Sequence, residues 1–175
     1  TDSDSCGVCP SCLKFRNLAH PDLHFVFPIV KKDNETCDDY LKQFRECVTN
    51  DHYLTNSTWL NEISNETKKG KIYDSESDKI IKKLSMKSYE GGYKFMIIWQ
   101  PESMDVGTAN KILKIIEEPP AKTLMILVSN EPDRIIGTIL SRTQMVNVPP
   151  VERDKIESYV KEQYQESDDN AKYIA

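Results

Sequence analysis

Two sets of residues have types and spacings that could do chemistry. The first is the run Cys6-Gly-Val-Cys9-Pro-Ser-Cys12, two C-x-x-C steps that share Cys9. Thiolates spaced this way can converge on one tetrahedral Zn²⁺, and Gly7 and Pro10 supply the tight loop. A closed structural site takes four ligands. The run offers Cys6, Cys9 and Cys12, and the fourth would be His20, Cys37 or a residue preceding Thr1. Nothing nearby has the character of a general base for a bound water, so the expected role is structural. The plainer alternative is a set of reduced thiols at a helix start. The second set closes the run Thr138-Ile-Leu-Ser141-Arg142. Ser141 and Arg142 leave a short expected helix ahead of an expected edge strand. An arginine there sits at the rim on rigid elements, and its planar fork suits phosphate oxygens on a neighbouring chain. The plainer alternative is a surface arginine paired with Glu131 or Asp133.

Both sets need a scaffold, and the stretch 94–150 provides most of it. Two continuous apolar runs, 95–98 and 124–128, flank a segment of helical spacing. Buried parallel strands read as continuous apolar runs because helices cover both faces, so this is a βαβ unit. The helix begins after Asp105, with Val106, Ala109, Ile112, Leu113 and Ile116 on its expected buried face, and stops at Glu117-Glu118-Pro119-Pro120. A short helix is expected over 131–140, with Pro132 in its first turn. A last strand is expected over 144–148, then a helix over 151–164 with Ile156, Tyr159 and Val160 inward, and the start of another from Ser167. Before this stretch come a short helix at 13–19, broken by His20-Pro21-Asp22, and a strand over 23–30 ending near Pro28.

The polar segment 31–70 interrupts the pattern. Tyr40, Leu41, Phe44 and Val48 lie at helical spacing, as do Trp59, Leu60 and Ile63, which predicts amphipathic helices packed on the body. A partner surface around Trp59 is the sharper possibility. Between 68 and 94, eight lysines face four acids. A solvated helix carrying Ile80, Ile81 and Leu84 explains that excess, and a phosphate-backbone surface is the alternative.

The chain has 175 residues, 38% hydrophobic, with mean hydropathy −0.57, enough for a real core and with no run fit to cross a membrane. A net charge of −5 argues against indiscriminate nucleic-acid binding. Five cysteines, an odd number, without a secretory apolar core after Thr1 set the expectation of a reducing, cytoplasmic setting. No phosphate-binding loop of the G-x-x-x-x-G-K-[ST] type occurs. A nucleotide hydrolase would end the strand at 95–98 in Asp-Glu, for Mg²⁺ and the attacking water. Trp99 and Gln100 stand there instead, so this chain is expected to bind no ATP and to hydrolyse none.

Taken together, the cysteine run, His20-Pro21-Asp22, KILKIIEEPP at 111–120 and TILSR at 138–142 resemble one family. It is the AAA+ clamp-loader family of bacterial DNA polymerase III, with its delta-prime and gamma/tau members. The resemblance implies a truncated AAA+ α/β fold, a parallel sheet flanked by helices with a small Cys-rich zinc module and the start of a helical lid. The implied layout is a zinc-module remnant at 1–22, a partial AAA+ domain at 23–150 with an insertion at 31–70, and the lid's beginning at 151–175. It also implies that the first strand and phosphate loop would precede Thr1 and that a collar would follow Ala175. The missing carboxylates resemble the non-hydrolysing member rather than the motor. Arg142, with Ser141, is then implied to be an arginine finger acting in trans on ATP held by an adjacent gamma-type subunit, within the DNA-directed DNA polymerase III holoenzyme. Thr143 stands where the family has Cys. Implied partners are gamma/tau and delta subunits and, indirectly, the sliding clamp and primed DNA. Two other functions remain open: a gamma/tau-type ATPase piece, and a zinc-dependent nucleic-acid-binding module.

Overall fold

Three parallel strands carry the larger of two units in the computed structural model, which describes residues 4–51, 53–64 and 69–164 (side chains at 163 and 164 aside). The chain divides into Thr1–Thr143 and Gln144–Ala175. In the first unit β1 (Leu23–Val26), β2 (Lys94–Trp99) and β3 (Thr123–Val128) lie in the order β1-β2-β3. Phe25 pairs with Ile97, and Ile97 with Ile126. The apolar run of β2 is explained by its central place, since helices must cover both of its faces.

One sheet face is covered from the N-terminal side of the chain. Phe15 of α1 (Pro10–Arg16) meets Phe95 edge-on at 5.6 Å, and Phe44 of α2 (Leu41–Asn50) packs on Phe25 and Trp99 at 5.7 Å. On the same face of β3, Leu124, Ile126 and Val128 are 40–45% exposed. The other face buries Val26, Met96 and Ile98. Helices α4 (Asp74–Ser85) and α5 (Val106–Glu117) pack against one another and add Ile80, Leu84, Ala109 and Ile112 to the core. Asp105 caps α5 by accepting from the Thr108 amide at 2.6 Å.

The polar segment is part of the core. Trp59, on α3 (Asn56–Ile63), is wholly buried and donates its indole N–H to the Pro28 carbonyl at 2.7 Å. Phe44 stacks on Phe27 at 4.0 Å, and Trp59 meets both rings edge-on. The expected packing of these helices on the body is observed, and a partner surface around Trp59 is ruled out by its burial. A 3₁₀ turn over Cys37–Tyr40 precedes α2, and there the Cys37 amide donates to Glu76 at 2.9 Å.

Glu76 is a buried acid whose pKa burial raises above its ordinary value. Its contribution to stability is therefore greatest below that ordinary value and is lost as pH rises through the folded-state pKa. Glu76→Gln keeps an oxygen for the Cys37 amide and removes the buried charge. It should be at least as stable as the parent at pH 7, with the difference shrinking toward pH 4.5 in parallel denaturant titrations.

Several elements differ from expectation. The first strand stops at Val26, because the Phe27 amide bonds to the Cys37 sulfur at 3.5 Å and Pro28 has no N–H. The next backbone bridge is the antiparallel one of Ile29 to Lys71. The first helix runs Pro10–Arg16 rather than 13–19, because Cys9 caps it and Leu18 turns to a positive φ of 52°. Val106 is 66% exposed, since it opens the first turn of α5 away from the core. The helix expected over 131–140 is split into a 3₁₀ turn, Pro132–Arg134, and α6, Gly137–Leu140, with Ile135 and Ile136 extended between them. No strand forms over 144–148, where Met145, Val146 and Val148 are 64–83% exposed. In the second unit α7 spans Arg153–Tyr164, with Val160 buried but Tyr159 exposed. The helix expected from Ser167 lies outside the described residues.

Three of the eight lysines between 68 and 94 are withdrawn from a common basic surface. Lys94 is buried, and its ammonium donates to the Leu84 and Met86 carbonyls at the end of α4. Lys79 and Lys83 both pair with Asp38, at 2.9 and 2.5 Å. Lys68 is outside the described residues.

Candidate functional site

The cysteine run folds as a cap. Cys9 is the N-cap of α1 and its sulfur accepts from the Cys12 amide at 3.5 Å, while the Cys6 sulfur accepts from the Cys9 amide at 3.4 Å. Gly7 takes a positive φ of 70°, and Arg16 clamps the loop by donating to the Gly7 carbonyl at 3.0 Å. The three sulfurs lie within 4.8 Å of one another, with Cys6 and Cys12 3.7 Å apart. Zinc–thiolate bonds of about 2.3 Å in a tetrahedron place sulfurs about 3.8 Å apart, so the donors fit that ion. Backbone amides of Val8 and Cys9 lower the Cys6 pKa to about 7, which favours a thiolate. Hydrogen bonding with the Cys9 sulfur raises that of Cys12.

Neither in-chain candidate joins as a fourth ligand. His20 is buried and stacks on Phe15 at 4.1 Å. Its Nε2 lies 3.1 Å from the Ser11 hydroxyl and 3.2 Å from Glu90, and its Nδ1 accepts from the Asp22 amide at 3.1 Å. Cys37 is 1% exposed in the core and donates to the Phe27 carbonyl at 3.1 Å, and burial pushes its thiol pKa well up. Among the described residues the group therefore has three members, Cys6, Cys9 and Cys12. His20-Pro21-Asp22 is a structural corner: Asp22, also buried, accepts from the Tyr89 and Glu90 amides at 2.7 and 3.2 Å.

The carboxyl ends of β2 and β3 form the second region, where open parallel sheets place ligands. Trp99 packs on Phe44, and Gln100 is 6% exposed in a left-handed conformation, φ 57°. Its amide donates to the Val128 carbonyl at 2.8 Å, which locks the strand end. No carboxylate occupies either position. Glu102 follows Pro101 in a 3₁₀ turn and lines a depression of about 430 Å³ with Lys69, Lys71, Asn130 and Arg134. The polar segment thus brings Asn56, Lys69 and Gly70 to the strand ends, a proximity that no local pattern announces. Ser129 is a turn former, accepting from the Glu131 amide at 3.1 Å.

Arg142 follows α6 at the rim, with its side chain 34% exposed. Glu131 pairs with Arg134 at 2.7 Å, so it is not the partner of Arg142. Arg142 instead uses Nε to reach Glu117, the last residue of α5, at 3.2 Å. Its Nη1 donates to the Thr138 carbonyl at 3.1 Å and to the Ser141 hydroxyl at 3.3 Å. Ser141 and Arg142 are thus brought together, far along the chain from the cysteine cap. Sequence reasoning missed Glu117, and the available signal was an acid closing an amphipathic helix.

A family model described as "DNA polymerase III, delta subunit" matches residues 1–152. DNA polymerase III subunit delta' of Bacillus subtilis is 26% identical over 161 residues, covering 92% of this chain and 37% of the relative. The protein of that name in Escherichia coli is 28% identical over 146 residues, covering 83% and 33%. The chain thus spans about a third of the length of these curated relatives. A solved gamma subunit-related protein of Thermotoga maritima aligns over 86% of this chain and 48% of its own, at TM-score 0.46 and 20% identity.

Proposed function

We propose, since the chain belongs to the family described as DNA polymerase III, delta subunit, that it serves a clamp loader of bacterial replication as a subunit that does not hydrolyse ATP. In this reading Arg142 completes the ATP site of an adjacent gamma-type subunit, and the assembly opens the sliding clamp on primed DNA. The observation that carries it is an asymmetry between a strand end and a helix end of the same unit. The carboxyl end of β2 presents Trp99 and Gln100, neither of which is an anionic ligand for Mg²⁺ or a base, while Arg142 stands at an exposed rim on the end of α6. A guanidinium so placed can neutralise charge on a phosphoryl group supplied from outside the chain. Ser141 contributes by holding Nη1. The test is ATP turnover by a complex reconstituted from the complete subunit and its gamma-type partners, with and without Arg142. The complete subunit alone should turn over no ATP, and measurable turnover would sink the reading.

In the same reading Cys6, Cys9 and Cys12 hold a structural Zn²⁺. The ion would crosslink the loop that precedes α1, and no step of chemistry passes through it. Support comes from the sulfur spacing and the low Cys6 pKa. Chelation of the metal from the complete subunit should raise proteolytic cleavage within residues 4–16 and leave the sheet intact. Cys9→Ala should do the same, because it removes one sulfur ligand and also the α1 cap. Equal cleavage with and without chelator, with no metal found by elemental analysis, would remove zinc from the account. Among the described residues no helix is long and apolar enough to cross a membrane.

A further inference from the structure

We propose that Glu117 is a positioning residue for Arg142, holding the guanidinium in the orientation from which it meets a neighbour's nucleotide. This rests on the reading of Arg142 as a finger. The geometry fixes two of the three nitrogens: Nε on Glu117, and Nη1 on the Thr138 carbonyl and Ser141 hydroxyl. Among the described residues Nη2 has no acceptor, so it is the nitrogen left for an external oxygen. The three acceptors come from the last turn of α5 and the end of α6, two packed elements that a loop arginine alone would lack. An arginine side chain otherwise carries much rotamer freedom, and restraining it beforehand lowers the cost of meeting a phosphate.

The placement of Glu117 also calls for an explanation on local grounds. It closes α5, next to Glu118, at the negative end of the helix dipole, where acids are disfavoured. A residue that breaks a local preference without a local gain is expected where function requires it. The gain here is the pairing with Arg142 at 3.2 Å. Both partners are partly exposed, 57% and 34%, so the restraint is modest rather than rigid.

The test uses the reconstituted complex and compares Glu117→Ala, Glu117→Gln, Arg142→Ala and the double variant Glu117→Ala/Arg142→Ala. In single-turnover measurement on the site next to this subunit, Glu117→Ala should lower the maximal rate about two- to fivefold, the range set by an exposed ion pair, with the ATP concentration for half-maximal rate unchanged. Glu117→Gln keeps an oxygen for Nε and should recover most of the rate. In the Arg142→Ala background Glu117→Ala should have no further effect, since the two act as one unit. A parental rate for Glu117→Ala, beside a strong Arg142→Ala defect, would overturn the positioning role and leave the finger standing. So would a faster rate, or an equal loss in both backgrounds. A parental rate for Arg142→Ala would remove the underlying reading itself.

Discussion

Arg142→Ala should abolish the contribution of one ATP site in the assembled complex while assembly itself survives. Trans arginine fingers are worth about 10³–10⁵ in rate, so the affected site should become negligible beside its neighbours. What a bulk assay shows then depends on coupling. If the sites fire independently, total turnover falls only by the share of the site that Arg142 serves. If they fire in concert, the whole stimulated rate falls by orders of magnitude. Single-turnover measurement on the site next to this subunit separates the two and should show the full loss in either case. Folding should be little affected, because Arg142 is at the rim and loses one exposed pair and two hydrogen bonds near the end of a four-residue helix. Arg142→Lys should rescue poorly. A lysine keeps the charge but cannot engage Glu117, Thr138 and Ser141 while presenting another nitrogen outward. Unchanged turnover in the single-turnover assay would defeat the finger.

The parts of the fold that were legible in the sequence were those set by continuous apolar runs. Residues 95–98 and 124–128 announced β2 and β3, and the spacing of Ala109, Ile112 and Ile116 announced α5. The failures have identifiable causes. The run at 144–148 has strand-forming residues, but a strand is completed only by a pairing neighbour, and none pairs with it among the described residues. Lys94 reads as one of a row of surface lysines, yet it begins the central strand and is drawn to two carbonyls at the end of α4. That attraction depends on where α4 ends in space, which spacing does not reveal. At the candidate site, Arg142 and the three cysteines were visible because the chemistry of each is local. Glu117 was not, since 25 residues separate it from Arg142 and nearer acids competed for the same role.

Trp59→Ala should cost the larger unit most of its stability, and the reason decides what the polar segment is for. The side chain is wholly buried, packs against Phe27 and Phe44, and satisfies the Pro28 carbonyl. Removing a buried tryptophan costs about 3–5 kcal/mol in transfer and cavity terms. An orphaned carbonyl adds about 1–3 kcal/mol. Against a typical total of about 5–15 kcal/mol, the variant should be largely unfolded or have a much lower Tm. Trp59→Phe keeps most of the ring packing and loses the hydrogen bond, so it should be milder. Were the residue a partner surface instead, Trp59→Ala would leave Tm unchanged and weaken only binding. The burial excludes that outcome and gives the segment a different role. Its helices α2 and α3 fix Pro28 and the end of β1, and its far end delivers Lys69, Gly70 and Lys71 to the depression beside Gln100. A residue in the core of the polar segment thus governs the shape of the sheet's carboxyl edge. Trp59 variants that still fold should therefore alter the accessibility of Lys69 and Lys71, measurable by lysine acylation, before they alter any contact made by Arg142.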